Sequence, residues 1–298
     1  MGLSKVLENH FKYHICKIAT TMLGDVLFTK IKYRLLFKKK LNIKNPQTLN
    51  EKILWLKLFV HEDFHTIVAD KYASRKWLSE RFGEEYLVPL LFYTNNYKEI
   101  TKENMPNVPC IVKSNNGCGT NHIIRNKEIV DYDLLQKDCK KWLGQNYYYI
   151  GQEWQYKNMK PYIIVEGLLQ TKDGKVPNDY KLHFINGELQ FVYCSIDREG
   201  LNYRKIYSPE WKPLDFIWIT RGHSKKDYEG PDIERPATFD KMLEIGSEIA
   251  KLFKYVRVDF YDVDGKLYYG EITLHHGGGT DIIVPYSVDE YYGKKLQL

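Results

Sequence analysis

The sequence predicts a mixed fold, α/β or α+β in its layers. Helical segments come first, hairpins follow, and a last helix feeds a final hairpin, which does not match a parallel βαβ series. The segment "TLNEKILWLKLFV" opens with capping-box spacing, Thr48 to Glu51, and carries Leu49, Ile53, Leu56 and Val60 at helical intervals. From Phe64 to Phe82 the pattern stays helical and stops at Gly83. "EYLVPLLFYT" and "MPNVPCIVKS" then bring two strand-like runs, the second bounded by prolines. Residues 131 to 143 return to a helical pattern, and Tyr162 to Arg198 is extended. Pro236 and Thr238 begin a helix expected to bury Phe239, Met242, Leu243, Ile249, Leu252 and Phe253. The sequence has no internal repeat and no low-complexity tract.

With 43% hydrophobic side chains and 24 tyrosines, the chain can bury one large core or a few small ones. Its apolar runs, such as "PYIIVEGLL", fall short of the roughly 20 residues that cross a bilayer. At the start, Lys17 interrupts any export-type apolar region, and Val6 stands where a myristoylation signal needs Ser or Thr. Five cysteines without CxxC spacing suggest neither a disulfide framework nor a zinc site, so the reducing cytoplasm is the expected compartment. Residues 1 to 40 carry nine Lys or Arg against Glu8 and Asp25, a net +7 that leaves −1 for the remainder. Within this arm, "TKIKYRLLFKKK" mixes basic and apolar residues as a peripheral membrane-surface segment at the inner leaflet does. A solvated helix followed by a charged loop has the same composition. Nucleic acid is disfavoured as a partner, because the body has no surplus charge to neutralise phosphates.

In "CIVKSNNGCGTNHIIR", Lys113 ends one strand and Gly117 and Gly119 stand in the loop before another. A Walker loop or dinucleotide fingerprint would lead into a helix, so neither applies. A strand-loop-strand glycine loop can still offer backbone N–H groups to phosphate oxygens, with Lys113 adding a point charge. An ordinary hairpin loop with an exposed lysine has the same pattern. Cys118 lies inside this loop as a free thiol without assigned chemistry.

Two hairpins carry the remaining polar signals. In "DYKLHFINGELQFVYCSIDR", a two-residue turn at Asn186-Gly187 sets Tyr180, Leu182 and Phe184 opposite Tyr193, Phe191 and Leu189. Asp179, Lys181 and His183, with Cys194 and Arg198, then share the other face, which is either solvated or built for phosphate. In "RVDFYDVDGKLYYGEIT", a three-residue loop Val263-Asp264-Gly265 aligns Val256, Val258 and Phe260 with Ile272, Gly270 and Tyr268. Arg257, Asp259, Glu271 and Thr273 then share one side, whereas a two- or four-residue loop separates the two acids. Neighbouring carboxylates repel unless something positive lies between them. A divalent ion such as Mg²⁺ is the usual solution, and salt bridges to Arg257 or Lys266 are the alternative.

The order of lysine strand, glycine flap, strand ending in "VEGLL", basic hairpin, helix and Asp/Glu hairpin resembles the ATP-grasp fold, and within it the TupA-like ATP-grasp proteins. That family is named for teichuronopeptide synthesis and linked to bacterial surface polysaccharides. The motifs that carry the resemblance run from "NPQTLNEKILWLKL" through "DKYASRKWL", "VKSNNGCGTN", "NDYKLHFING" and "RVDFYDVDGKLYYGEIT" to "PYSVDEYYGKKL". It implies a nucleotide held between two antiparallel-sheet subdomains, with a helical N-terminal region. The expected division is a basic arm over 1–45, a helical region over 46–108, a lid subdomain over 109–165 and a C-terminal subdomain over 166–298.

By the same resemblance, ATP and Mg²⁺ are the cofactors. Lys113 would contact the α-phosphate, and Ser114, Asn115, Asn116, Gly117, Gly119 and Thr120 would close over the triphosphate. The backbone of Glu166, Gly167 and Leu168 would meet the adenine edge. Lys181 and Arg198 would hold the β- and γ-phosphates, with Asp179 orienting Lys181. Asp259 and Glu271 would hold Mg²⁺, with Thr273 standing where most ATP-grasp enzymes have Asn. Gly277 to Gly279 would offer N–H groups to an acyl intermediate, while His275 and His276 read as structural or exposed.

The implied activity is an ATP-dependent carboxylate-amine ligase working through an acyl phosphate on an acidic cell-surface polysaccharide or its precursor. A glycan kinase, a glycosyltransferase using Asp262-Val263-Asp264, and a non-catalytic nucleotide-binding partner are the competing expectations. Asp264-Gly265 as turn residues already accounts for that DxD match.

Overall fold

A computed structural model of the chain describes residues 3–117, 119–219 and 224–298, with side chains in the first helix from Tyr13 onward. Cys118 lies outside the described residues. Helix α1 (Leu3–Phe37) bends at Gly24, whose φ of 71° is non-helical. Helix α2 (Leu49–Phe59) starts with the expected reciprocal cap. Thr48 Oγ1 accepts from Glu51 N at 3.2 Å, and Thr48 N donates to Glu51 Oε2 at 3.4 Å.

The single helix expected over 64–82 is two, α3 (Asp63–Ala69) and α4 (Ser74–Phe82). Asp70 breaks it, because Asp70 Oδ1 accepts from Tyr72 N at 2.8 Å and Ala73 N at 3.2 Å in place of the helical ladder. The interruption is what lets Lys71 reach the glycine loop.

Strands β1 (Leu90–Thr94), β2 (Cys110–Ser114), β3 (Asn121–Ile124) and β4 (Ile163–Gly167) form an antiparallel sheet in the order β1-β4-β2-β3. Helix α5 (Tyr132–Gly144) covers one face with Leu135, Cys139 and Trp142 against Cys110, Val112, Ile124, Ile163 and Val165. A short helix α6 (Tyr148–Gly151) precedes β4. The expected boundaries at 108 and 165 therefore do not follow the sheets. β1 belongs to the small sheet, where Tyr93 pairs with Ile164, and the second boundary would cut through β4.

The larger sheet contains β5 (Asp179–Ile185), β6 (Glu188–Ile196), β7 (Tyr203–Tyr207), β9 (Tyr255–Val263) and β10 (Lys266–Thr273). Its order is β10-β9-β5-β6-β7. Helix α7 (Phe239–Ala250) packs on one face with Phe239, Met242, Ile245 and Ile249 over Leu182, Phe184, Val192, Val258 and Phe260. Leu252, expected to be buried with them, is exposed because the helix ends at Ala250. Part of the opposite face carries α2, the small ribbon of β8 (Ile217–Ile219) and β11 (Ile282–Val284), and helix α8 (Tyr286–Lys295). The remainder of that face holds the charged residues, themselves largely buried.

Helix α8 reaches α2 through a glycine. A Cβ on Gly293 would lie 2.2 Å from Gln47 O and 2.7 Å from Thr48 Cα. Gly293→Ala should therefore destabilise the fold by about 2 kcal/mol, measured by urea unfolding, because backbone cannot move aside as a flexible side chain can.

Both ribbon registers differ from expectation in an instructive way. In the β5–β6 hairpin, Ile185 faces Glu188 and Phe184 faces Leu189 as predicted, but a bulge then sets His183 opposite Phe191 and Tyr180 opposite Cys194. Cys194 accordingly joins the apolar core, and Phe191 and Tyr193 move to the face of Lys181 and His183. In the β9–β10 hairpin the loop is the two residues Asp264-Gly265, with Val263 paired to Lys266. That loop alone would separate the two acids. A bulge at Gly270-Glu271, between Tyr269↔Phe260 and Ile272↔Val258, restores their common side. Gly270 suits the bulge, since a Cβ there would come within 3.0 Å of Asp259 O.

Candidate active site

Pairing in the large sheet sets Lys181 directly opposite Asp259 and His183 opposite Arg257. Lys181 Nζ is clasped between Asp179 Oδ2 and, at 2.8 Å, Asp259 Oδ2. Arg257 Nε donates to Asp259 Oδ1 at 2.6 Å, while Arg257 Nη2 bridges Asp259 Oδ2 at 2.6 Å and Glu271 Oε1 at 2.7 Å. Thr273 Oγ1 lies 3.3 Å from Glu271 Oε1. Arg198 stands beside this group with its guanidinium 5.6 Å from the Tyr261 ring centroid.

Burial shifts these groups; at Asp179, Glu271 and Lys181 their neighbours decide the outcome, while at Asp259 burial outweighs Arg257 and Lys181 and raises the carboxyl. Burial pushes Asp179 up, but Lys181, Arg198 and Arg257 together hold its carboxyl below the usual range. Burial likewise opposes the charge on Glu271, yet Lys71, Arg257 and Lys181 keep it far below an ordinary glutamate. Lys181 is raised, because Asp179 and Asp259 outweigh the cost of its burial. Asp179 Oδ1 is buried without a hydrogen-bond partner among the described residues.

On the small sheet, Glu166 accepts from two cations, Lys113 Nζ at 2.5 Å and Arg75 Nη1 at 3.1 Å. Arg75 Nη2 also donates to Val88 O at 2.7 Å. The glycine loop leads from β2 into β3, with Lys113 paired to Asn121. Its framework is internally bonded. Ser114 Oγ and Thr120 Oγ1 lie 2.7 Å apart, and Asn115 Nδ2 donates to Asp70 Oδ1 and to Lys160 O, both at 2.9 Å. Asn115 is thus a strut that fastens the loop to the α3–α4 break, with Asn116 buried next to it. Gly119 adopts a φ of 68°, and a Cβ on Gly117 would collide with Thr120 Oγ1 at 2.3 Å.

One side chain joins the two sheets. Lys71 Nζ donates to Gly117 O at 2.9 Å and lies 3.2 Å from Glu271 Oε2. Lys71, Arg75, Glu166, Tyr269, Gly270 and Glu271 line a single narrow cleft between the sheets. Lys71 and Arg75 are the site residues that sequence reasoning missed. They lie within "DKYASRKWL", and the helical pattern gave no reason to expect a break at Asp70 that frees Lys71. Arg257 stood on the expected face, and the Arg-Val-Asp spacing was the signal that it would share a side with Asp259.

Other expectations change. The amides of Gly167 and Leu168 already donate to Pro89 O at 2.9 Å and Pro109 O at 3.0 Å, so neither N–H is available to a base edge in this conformation. Gly278 N is likewise committed to His275 O at 2.8 Å, which removes it as a donor to an acyl group. His275 and His276 lie outside any strand and are buried apart, His275 near Glu153 and His276 Nδ1 3.2 Å from His183 Nε2. Asp262 accepts from Thr238 N at 3.0 Å and Gly265 N at 2.8 Å, and Asp264 accepts from Lys172 N at 2.8 Å. The DxD match therefore anchors the turn and the start of α7.

The buried histidines make a pH dependence. Burial first, then Arg257 and Lys181, keep His183 well below the usual histidine value, and burial with Arg257 does the same for His276. The folded protein holds them neutral, while the unfolded chain takes up protons below the ordinary value of 6.5. Their stabilising effect is complete above that value and is lost as pH falls through it, by about 1.4 kcal/mol per pH unit for each histidine. Urea unfolding at a neutral and a mildly acidic pH should show this loss, and His183→Gln should reduce the slope.

A family model described as TupA-like ATPgrasp matches residues 51–297. The chain belongs to that family. Its mixed helix and antiparallel-sheet architecture is that of the ATP-grasp fold. Similar solved structures include the ATP-grasp ligase PsnB with a phosphomimetic variant of its minimal precursor, Mg and ADP. It is 12% identical, covered over 72% of this chain and 51% of that one, with a TM-score of 0.38. D-alanine–D-alanine ligase from Bacillus anthracis is 15% identical over 76% of this chain and 63% of that one, with a TM-score of 0.41. The Helicobacter pylori enzyme is 16% identical over 78% and 62%, with a TM-score of 0.40. This TupA-like chain spans about half the length of the PsnB chain and just over three fifths of the two ligases. No curated protein matches it.

Proposed function

We propose that this TupA-like protein is an ATP-dependent carboxylate-amine ligase that activates a carboxylate as an acyl phosphate. Its acceptor, on this reading, is an acidic cell-surface polysaccharide or precursor to which an amino acid or amine is added. The observation that carries the proposal is Lys71, whose ammonium spans from the glycine loop to Glu271 and so draws both sheets onto one cleft. With it stand five further cations, Arg75, Lys113, Lys181, Arg198 and Arg257, against four carboxylates, Glu166, Asp179, Asp259 and Glu271. That excess suits a polyanion such as a triphosphate.

The family also implies Mg²⁺; in this structure Arg257 bridges Asp259 and Glu271, the salt-bridge alternative of the sequence reading, and their carboxylate oxygens are of the kind a hard divalent ion takes. Asp259 and Glu271 present carboxylate oxygens on either side of one Arg257 nitrogen, and Asp179 Oδ1 is a buried acceptor without a partner among the described residues. The described residues contain no cluster of three or more His, Cys, Asp or Glu side chains arranged to hold a metal ion, so phosphate oxygens would complete the shell. Asp259, Glu271 and Thr273 would hold Mg²⁺, which when bound supplies charge neutralisation at the phosphoryl oxygens.

The protein's own part is positioning. Lys181 is held in place by Asp179 and Asp259, and Arg257 by Asp259 and Glu271, so both cations are oriented before any ligand arrives and require little reorganisation as charge develops. Glu166 holds Lys113 and Arg75 in the same manner on the opposite wall.

The test is an ADP-release screen over uronic acids and amino acids with Mg²⁺. Release that requires both a carboxylate and an amine, with free phosphate as product, supports the ligase. Phosphate retained on a sugar hydroxyl would make the protein a glycan kinase instead. On this reading the protein works in the cytoplasm at the inner face of a membrane.

A further inference from the structure

Helix α1 has two unlike sides. One is seated on the body, where Thr20 Oγ1 accepts from Gln152 Nε2 at 3.1 Å and Asp25 Oδ1 from Tyr148 Oη at 2.7 Å. Lys32 Nζ donates to Ile150 O at 3.0 Å, and Tyr13, Phe28 and Tyr33 are buried. On the other side, Ile15, Ile18 and Met22 before the bend, and Leu27, Ile31 and Leu35 after it, recur every three or four residues within each half and are all exposed. Met22 is 79% and Leu35 65% exposed, so most of each residue faces solvent. Two such exposed apolar rows on one helix mark an interaction surface, whereas single exposed apolar residues do not.

Charge identifies what the stripe meets. Lys30 and Arg34 are exposed along the second half of the helix, and Lys38, Lys39 and Lys40 follow its end. Between residues 13 and 40 the sole acid is Asp25, and it is turned to the body by its bond to Tyr148. A second copy docking through the same face would bring these cations against their own images, which costs free energy. An anionic leaflet offers the opposite charge beside an apolar interior. No helix among the described residues is long and apolar enough to cross a membrane, which leaves a surface-lying arrangement.

We propose that α1 lies flat on an anionic bilayer, its Ile15–Leu35 stripe entering the headgroup boundary and its Lys/Arg cluster contacting acidic lipid. This surface is separate from the cleft, so it stands whether or not the ligase reading does. Flotation of the full chain with phosphatidylglycerol–phosphatidylcholine vesicles and with phosphatidylcholine alone tests it. The expected result is recovery with the anionic vesicles only. Partition should weaken about ten-fold in Ile18→Gln/Met22→Gln/Ile31→Gln and fall with added salt in the parent protein. Lys30→Gln/Arg34→Gln should weaken it too, with the thermal melt of each variant unchanged. Absence of binding, or binding that the apolar substitutions leave intact, would overturn the proposal. So would a concentration-dependent dimer abolished by those substitutions, or equal recovery with uncharged vesicles.

Discussion

Glu271→Gln is expected to lower ADP release by about 10³-fold while leaving the protein folded. The amide matches the carboxylate in size and can still accept one hydrogen bond from Arg257 or Lys71. What it loses is a charge held far into the ionised range by those cations. Its side chain is 33% exposed, so the stability cost is small and the loss falls on function. The measurement is coupled-assay ADP release beside a thermal melt. Full release by this variant would remove Glu271 from the metal and phosphate site.

Lys181→Met should have the second large effect, on both stability and activity. The lysine is the ammonium between Asp179 and Asp259, and its removal leaves those carboxylates buried with one cation fewer. Breaking a buried pair in this way costs about 3–5 kcal/mol, read by urea unfolding. Adding Asp179→Asn should restore part of that stability, because one stranded charge goes with it. It should not restore ADP release, since the ammonium proposed to hold phosphate is still missing. If the double variant recovered activity, Lys181 would serve the fold alone.

The chemistry-bearing residues were legible to different degrees, and the reasons are geometric. Asp179, Lys181 and His183 alternate on one strand, so their shared face follows from the pleat whatever the partner strand does. Cys194 lies on the core face and not on the expected one, because its side depends on pairing between two strands, and a bulge between them is invisible to alternation. In the last ribbon the loop is one residue shorter than expected and a bulge is added, and the two changes cancel to leave Asp259 and Glu271 together. The common side of the two acids therefore rests on the bulge and not on a three-residue loop.

Lys71 and Arg75 were beyond reach for another cause. They serve the site because Asp70 ends one helix and starts another, and Asn115, 45 residues later, ties that break to the glycine loop. Local periodicity carries no information about such a tertiary bond. The fold class was more accessible, since the sequential order of helices and hairpins is preserved in the two sheets and their covering helices.

The central claim is that both sheets hold one Mg-nucleotide. Calorimetric titration of Mg·ADP into the parent protein, Lys113→Ala and Glu271→Gln tests it most directly, because those residues come from opposite walls of the cleft. The account predicts that each substitution weakens binding about ten-fold or more. Unchanged affinity in Lys113→Ala, with Glu271→Gln impaired, would contradict it by showing that the small sheet does not touch the nucleotide.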